Sequence, residues 1–282
     1  MAPKITVEQI TEKLEKHVED MFTSEGFKRW LKTLSAFPTY SLNNTLLINM
    51  QMPGATKVCG YNKWQELGRQ VKLGQGVQGI RIYVPIKKHR WVDEKDDKGN
   101  PVLDDNGKPK KIKREWIEFG LGSVFDISQT EGDPLPDDPC KALEDEADYD
   151  FLITLVEASP VPVSYKKLDS GYGYFDKKGQ QIVLNKEMSE AQMVKTLLSE
   201  MAEAVISEDS EETDSCTLDL QAEAVAYTVS QYYDFDTSDY SFGYIASWAK
   251  GKGKDELKES MEPIRKTSKL LIDRIDKKIA AI

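Results

Sequence analysis

The amino-acid sequence predicts an α+β fold in two domains, and three observations support this prediction. Apolar residues recur at helical spacing near both ends of the chain, and alternating, β-branched stretches lie between them. Residues 1–130 hold 21 Lys and Arg against 16 Asp and Glu, a net charge of +5, whereas residues 131–282 have a net charge of −15. The change coincides with the Pro- and Asp-rich residues 131–140, which cannot continue a helix or a central strand. We therefore predict domains at 1–132 and 150–282, joined by an acidic, Pro-rich linker at 133–149.

Composition excludes several classes of protein. No run of about 18 apolar residues is present, and charged side chains interrupt the first twenty residues, which argues against a membrane span and a signal peptide. We expect a soluble, cytoplasmic protein. The three cysteines are far apart and form no C-x-x-C pair, so the sequence indicates neither a disulfide framework nor a thiolate zinc site. With two histidines in 282 residues, a site that needs several imidazoles is excluded.

The basic half begins with three predicted helices. Apolar periodicity places two of them in residues 5–34, with a break at Gly26, and a third at 40–50 with Ser41 as its N-cap. A short helix ending near Gly68 follows, and then strands at 80–85 and 119–128. Turn signals in residues 92–112 predict a solvated hairpin insertion, although its basic residues could also follow a phosphate backbone: Lys108, Lys110, Lys111, Lys113 and Arg114.

This half contains the two ingredients of a surface that binds single-stranded nucleic acid, which are cations for the phosphates and rings for the unpaired bases. The rings are Tyr40, Tyr61, Trp64 and Tyr83, and the interleaved cations are Lys63, Arg69, Lys72 and Arg81. Composition alone favours the alternative that these residues belong to the fold, because Trp64 and Leu67 at helical spacing are more often buried than exposed.

Four ordered blocks resemble the N-terminal single-stranded-DNA-binding domain of ArdC-type antirestriction proteins. They are Tyr40-Ser41-x-x-Asn44-x-x-Leu47-Ile48, Gly60-Tyr61-x-x-Trp64-x-x-Leu67-Gly68-Arg69-x-Val71-Lys72, Gly79-Ile80-x-Ile82 to Pro85, and residues 124–132. The resemblance implies binding of single-stranded DNA with little sequence specificity, in a protein of plasmids or other mobile elements. The resemblance implies that the binding residues are Tyr40, Asn44, Tyr61, Trp64, Arg69 and Lys72. We add the interleaved cation Arg81 to this set. In the alternative interpretation Asn44 braces a turn, and Gln129 with Thr130 closes the sheet.

In the acidic half, the residue pattern predicts a helix at 150–158 and strands at 161–165, 173–175 and 181–185. It also predicts a helix that begins with a capping box of Ser189 and Gln192. Further helical patterns occupy 218–232, the region around 240–248, and the amphipathic residues 255–282. This order is similar to the ImmA/IrrE-like zinc metallopeptidase domain that accompanies the ArdC domain, which implies a zincin-like fold.

The implied zinc site is degenerate. In an active zincin the first helix carries H-E-x-x-H, whose two imidazoles bind zinc while the glutamate activates water. Here Ser199 and Glu203 stand at the two histidine positions, Glu200 keeps the general-base position, and Glu223 matches a third, carboxylate ligand, with Gln221 as the less favoured neighbour. A neutral hydroxyl is a poor zinc ligand, so we expect an inactive peptidase, a pseudoenzyme, without a zinc cofactor.

Two alternatives stay open for this half. The carboxylates of Glu200, Glu203 and Glu223 would suit Mg²⁺, Mn²⁺ or Ca²⁺ in a metal-dependent hydrolase, or they are hydrogen-bonded or solvated without metal. If they converge without a metal, repulsion should raise at least one pKa. Alternatively, the acidic surface mimics DNA and binds a host DNA-processing protein.

Overall fold

The computed structural model describes residues 6–21, 24–72, 78–95, 100–103, 107–135, 147–209, 214–235 and 254–281. Within these residues the protein is a mixed α+β fold, as predicted, with eight strands in three sheets. No described helix combines the length and the apolar character that a membrane crossing requires.

Three helices open the chain, as predicted: α1 (Val7–Met21), α2 (Ser24–Ala36) and α3 (Leu42–Gln51). The predicted break at Gly26 is wrong, because α2 begins at Ser24 and includes Gly26. Gly26 is buried, so tertiary packing outweighs its low helix propensity. Ser41 caps α3, and its hydroxyl accepts a hydrogen bond from the backbone N–H of Asn44 at 3.4 Å.

Two small antiparallel sheets follow. The elements are β1 (Val58–Gly60), α4 (Tyr61–Glu66), β2 (Arg69–Val71), β3 (Ile80–Asp93), β4 (Lys111–Asp126), a 3₁₀ turn (Ile127–Gln129) and β5 (Thr130–Gly132). One sheet has the strand order β1-β4-β3, which leaves β3 at an edge, and the other pairs β2 with β5.

Strands β3 and β4 are much longer than the predicted strands at 80–85 and 119–128. They pair without interruption from Ile80 with Val124 to Asp93 with Lys111. Beyond Val84 the two strands project from the fold as an exposed two-stranded segment. We call residues 86–93 and 111–119 the ribbon. Part of the predicted insertion at 92–112 therefore continues the ladder, and isolated bridges extend it at Lys95–Pro101 and Leu103–Pro109.

The C-terminal half contains a third sheet and a helical layer. Its elements are α5 (Ala147–Ala158), β6 (Val163–Lys166), β7 (Gly173–Asp176), β8 (Gln181–Asn185), α6 (Glu190–Asp209), α7 (Ser215–Tyr232) and α8 (Lys254–Ile279). In the sheet, β8 lies between a parallel β6 and an antiparallel β7. Most of the predicted linker, residues 136–146, and the predicted element around 240–248 lie outside the described residues.

One hydrophobic core reaches from the first helices into the C-terminal half. It includes Trp30 and Leu34 of α2, Leu197 of α6, Val225 of α7 and Leu271 of α8. Helix α2 packs against α7, and α8 packs on α5, α6 and α7, so the amphipathic C-terminal helix buries its apolar face against its own chain. A second, smaller cluster supports the base of β3 and β4.

Candidate functional site

The block at residues 124–132 organises the fold around Asp126. One carboxylate oxygen of Asp126 accepts backbone N–H groups of Thr56 and Lys57 at 2.8 and 3.1 Å, and the other accepts the N–H and hydroxyl of Ser128. Burial opposes ionisation of Asp126, but these hydrogen bonds outweigh it and hold its pKa below the usual value. Gln129 accepts from the Asp126 N–H at 2.9 Å. This block therefore fixes the loop that precedes β1.

Trp64 belongs to the interior of the protein. Its side chain is 0% exposed, and its indole N–H donates to the carbonyl oxygen of Phe125 at 2.8 Å. A ring without an exposed face cannot stack on a base, so the structure contradicts the DNA-binding role predicted for Trp64. A buried aromatic ring and a base-stacking ring look alike in the sequence, and the carbonyl of Phe125 that completes this burial lies 61 residues further along the chain.

Asn44 connects α3 to the edge strand β3. Its side-chain amide donates to the carbonyl oxygen of Tyr83 and accepts the N–H of Tyr83, both at 2.9 Å. Gln51, two turns later on α3, makes the same pair of bonds to Arg81 at 2.8 Å. The two amides together replace a neighbouring strand along this part of β3. Asn44 thus braces the fold, as in the alternative interpretation, and its predicted contact with DNA is not supported.

Two predicted cations lie on the small β2–β5 sheet. The guanidinium of Arg69 donates to the hydroxyl of Thr130 at 2.8 Å and to the carbonyls of Thr130 and Gly132 at 3.3 Å. These bonds fasten β2 to β5 and commit Arg69 to the fold. Lys72 is exposed, and its ammonium donates to the carbonyl of Ser128 at 2.9 Å.

The remaining predicted residues differ in their accessibility. Tyr40 is half-buried, packs edge-to-face on Phe37, and has a pKa raised by burial. Arg81 is partly buried and donates to the hydroxyl of Ser123 at 2.6 Å. Tyr61 is 50% exposed. Among the rings predicted to bind DNA, which are Tyr40, Tyr61 and Trp64, Tyr61 therefore presents the most open surface.

The ribbon exposes three aromatic rings that sequence reasoning did not select. Trp91, Trp116 and Phe119 are 58%, 47% and 65% exposed. Cross-strand partners lie on the same face, so Lys88 stands beside Trp116 and Lys113 beside Trp91. The sequence contained a signal for this surface, because tryptophans lie among the basic residues of 87–91 and 113–116. The prediction for this insertion named only cations as possible contacts of a phosphate backbone.

The ribbon is also basic, with six Lys and Arg against three Asp and Glu. Ion pairs join Lys88 with Glu118 and Lys111 with Asp93 at 3.8 Å, and all four side chains are largely exposed. Exposed pairs of this kind contribute about 0–1 kcal/mol, so competing anions can replace them. In addition, Arg90 lies directly opposite Arg114 in the ladder.

A second basic surface lies at the junction of the two halves. A cavity of about 530 Å³ is bounded by α2, the loop at residues 53–57 and the end of α7. Arg29, Lys32 and Lys57 line it together with Tyr232. We refer to this cavity as the junction groove.

The predicted carboxylates converge between α6 and α7. Ser199, Glu200, Glu203 and Glu223 line a cavity of about 330 Å³, with Asp219 and Lys195 completing its wall. We call this cavity the acidic cleft. The hydroxyl of Ser199 donates to one oxygen of Glu223 at 3.1 Å, and the ammonium of Lys195 lies 3.2 Å from the other. Sequence reasoning missed Lys195, although it precedes Ser199 by one helical turn.

Convergence changes the acid–base properties of the acidic cleft, as expected. Burial, followed by the negative charge of Glu203, raises the pKa of Glu200 to about 7, against a hydrogen bond from the backbone of Phe175. The pKa of Glu203 is also raised, by burial and by Asp219. Within the described part of the chain, no three His, Cys, Asp or Glu side chains are arranged to hold a metal ion. The cleft can exchange a proton near neutral pH without a metal.

Among curated proteins, the chain is similar to a distant relative. The chain is 24% identical over 298 aligned residues to an uncharacterized protein of Bacillus anthracis, covering 94% of this chain and 49% of the relative. The chain therefore spans about half the length of that protein.

Among the solved structures similar to this chain are two of the antirestriction protein ArdC from plasmid R388. The Mn(II)-bound structure has a TM-score of 0.52 at 16% identity, covering 93% of this chain and 97% of that chain. The metal-free structure has a TM-score of 0.46 at 17% identity, covering 84% and 86%. Residues 3–120 match the family described as the N-terminal domain of anti-restriction factor ArdC. The prediction of an ArdC-like protein is therefore confirmed, and residues 3–120 are similar to the N-terminal domain of anti-restriction factor ArdC.

Proposed function

We propose that this protein is an antirestriction protein of the ArdC type that binds single-stranded DNA with little sequence preference. Family membership of residues 3–120 supports the function. We propose the ribbon as the binding surface, because exposed rings alternate with cations on it. The ribbon thus takes over the stacking role that the sequence assigned to Trp64.

The exposure of these rings has no explanation in the stability of the fold. Large apolar side chains grouped on a surface are typical of interaction sites. A base that stacks on an aromatic ring contributes about 1–3 kcal/mol, and stacking accepts any base because each has a π-face. Trp91 and Trp116, each beside a lysine on its own face, therefore suit unpaired nucleotides.

The opposition of Arg90 and Arg114 supports an anionic ligand. Like charges directly opposite each other in an antiparallel pair destabilise a sheet. Within the described residues, neither guanidinium has an ion-pair partner that would compensate this repulsion. A phosphate between them supplies that compensation, and guanidinium groups bind phosphate through paired hydrogen bonds. Tyr61 and Lys72 remain proposed contacts closer to the base of the ribbon.

We further propose that the C-terminal half is a metallopeptidase-like domain without peptidase activity. The relative from plasmid R388 has been observed with Mn(II). The acidic cleft does not fit such an ion, because Ser199 is neutral and the ammonium of Lys195 already contacts Glu223. No hydrolytic step is therefore assigned to it.

A fluorescence-anisotropy titration tests the proposal on the full chain, because the two halves share a core. Labelled single-stranded and double-stranded oligonucleotides are titrated across a salt series. We expect preference for the single strand and an affinity that falls with salt, at about 0.7 decades per decade of salt for each neutralised phosphate. In a restricting host, expression should also raise the recovery of unmodified incoming plasmid DNA.

Variants of the ribbon locate the binding surface. Trp116→Ala and Trp91→Ala should each weaken binding by roughly fivefold or more, the effect of one lost stacking contact. Arg90→Gln with Arg114→Gln should lower the salt slope by roughly 1.4, since two phosphate contacts are lost. Tyr172→Ala, an equally exposed ring in the C-terminal half, is the matched control and should bind as wild type.

Several outcomes would overturn the proposal. They are a salt-insensitive or absent affinity for DNA, wild-type affinity in both tryptophan variants, or loss of affinity in the Tyr172 control. A Lys32→Gln, Lys57→Gln variant in the junction groove that loses affinity while the ribbon variants retain it would place the DNA in that groove and refute the ribbon as the binding surface.

A further inference from the structure

The acidic cleft combines four carboxylates with a single basic residue. Glu200 and Glu203 reach it from α6, and Asp219 and Glu223 reach it from α7. Among the described residues that line the cavity, Lys195 is the only cation, and the charge of Lys177 also acts on Glu203. Four acidic groups on two packed helices would repel one another, and this repulsion adds to burial in raising the pKa of Glu200.

Lys195 is held at the centre of this arrangement by specific contacts. Its ammonium lies 3.2 Å from Oε2 of Glu223, and the hydroxyl of Ser199 donates to Oε1 of the same carboxylate at 3.1 Å. Lys195 and Ser199 are four residues apart on α6, so their side chains emerge on the same side of the helix. Both oxygens of Glu223 therefore accept from α6, which ties α7 to α6 across the cleft.

The Lys195–Glu223 ion pair is much less exposed than the ion pair of Lys167 with Glu187. The side chains of Lys195 and Glu223 are 15% and 22% exposed, whereas those of Lys167 and Glu187, which pair at 2.8 Å, are 64% and 54% exposed. Removal of one member of a buried pair leaves an uncompensated charge in the interior, and an exposed pair has no such cost. The stability of the α6–α7 contact thus depends on the ammonium.

We propose that the ammonium of Lys195, as a fixed part of the chain, compensates the carboxylate of Glu223 in the acidic cleft, so that the α6–α7 pair needs no divalent cation. The donor set agrees with this role. A neutral hydroxyl and a carboxylate already bonded to an ammonium bind a divalent ion poorly, and the ammonium itself repels one. Lys195 thereby makes the C-terminal half a metal-independent scaffold.

Thermal unfolding of the full chain tests this assignment. We expect the Tm of the wild type to be the same in excess EDTA and in excess Mn²⁺, with no stoichiometric manganese retained after gel filtration. Lys195→Met should lower Tm by roughly 5 °C or more, the effect of breaking a largely buried pair. Lys167→Met, in the exposed pair, is the matched control and should shift Tm by about 1 °C or less.

A double variant separates charge compensation from loss of packing. Adding Glu223→Gln to Lys195→Met removes the uncompensated carboxylate, so at least half of the lost Tm should return. The proposal is overturned if the wild type retains manganese or gains Tm with Mn²⁺, if Lys195→Met leaves Tm unchanged, or if the double variant is no more stable than Lys195→Met. None of these measurements depends on DNA binding.

Discussion

Replacement of Asn44 by alanine separates a role in the fold from a role in DNA binding. Asn44 is buried and makes two 2.9 Å hydrogen bonds to the backbone of Tyr83. Asn44→Ala leaves one N–H and one C=O of the edge strand without these partners. An unsatisfied, partly buried polar group costs about 1–3 kcal/mol, and the lower half of this range applies because Tyr83 is half-buried. For the two groups together we expect the free energy of unfolding to fall by roughly 2–4 kcal/mol.

The assay combines stability with binding. For a chain of this size, a loss of about 2–4 kcal/mol corresponds to a Tm lower by roughly 3–7 °C, measured by circular dichroism. DNA affinity, measured well below the transition, should stay within about twofold of wild type, well under the roughly fivefold loss expected for a lost contact. Asn43→Ala, at the exposed neighbouring position on α3, is the control. An unchanged Tm together with a large loss of affinity in Asn44→Ala would refute the reasoning and restore Asn44 as a DNA contact.

Two further predictions concern pH. The pKa of Asp126 is lowered in the fold, so its carboxylate stabilises the protein above the unfolded pKa of about 3.9 and loses this effect as pH falls through the folded pKa. Urea unfolding should therefore show that Asp126→Asn is less stable than wild type at pH 7. The difference in the free energy of unfolding between the two proteins should become smaller in acid. The pKa of Glu200 is raised to about 7, so the contribution of this carboxyl group to wild-type stability should fall by about 3 kcal/mol as pH rises from 4.5 to 7. Glu200→Gln should lack that fall and be the more stable protein at pH 8, and equal urea midpoints of the two proteins at that pH would contradict the shift.

The parts of the structure that were predictable follow from local periodicity. Ser41 as the cap of α3 and the shared face of Ser199 and Glu203 depend on spacing within one helix, which the sequence states directly. The opposing position of Glu223 was available through the family resemblance, because it lies on another helix. A raised pKa was the expected result if these carboxylates converge, although burial contributes more to the pKa of Glu200 than the repulsion from which it was expected.

The parts that were missed depend on tertiary surroundings. Trp64 and Trp116 both lie in basic, aromatic stretches, yet one is sealed under the Phe125 carbonyl and the other is open to solvent. A two-stranded ribbon has no buried face, so it lacks the alternation of apolar and polar residues that identifies an ordinary strand. Lys195 was missed because the zincin motif directs attention to positions 199–203 and not to the preceding turn.

The two amides of α3 that bond the edge of β3 also protect the protein from self-association. An open strand edge offers unpaired N–H and C=O groups to any other strand, including one from a second copy of the chain. Asn44 and Gln51 occupy these groups at Tyr83 and Arg81, and a helix lies where an incoming strand would have to dock. Loss of both amides would therefore turn a closed margin of the sheet into a template for intermolecular pairing and aggregation.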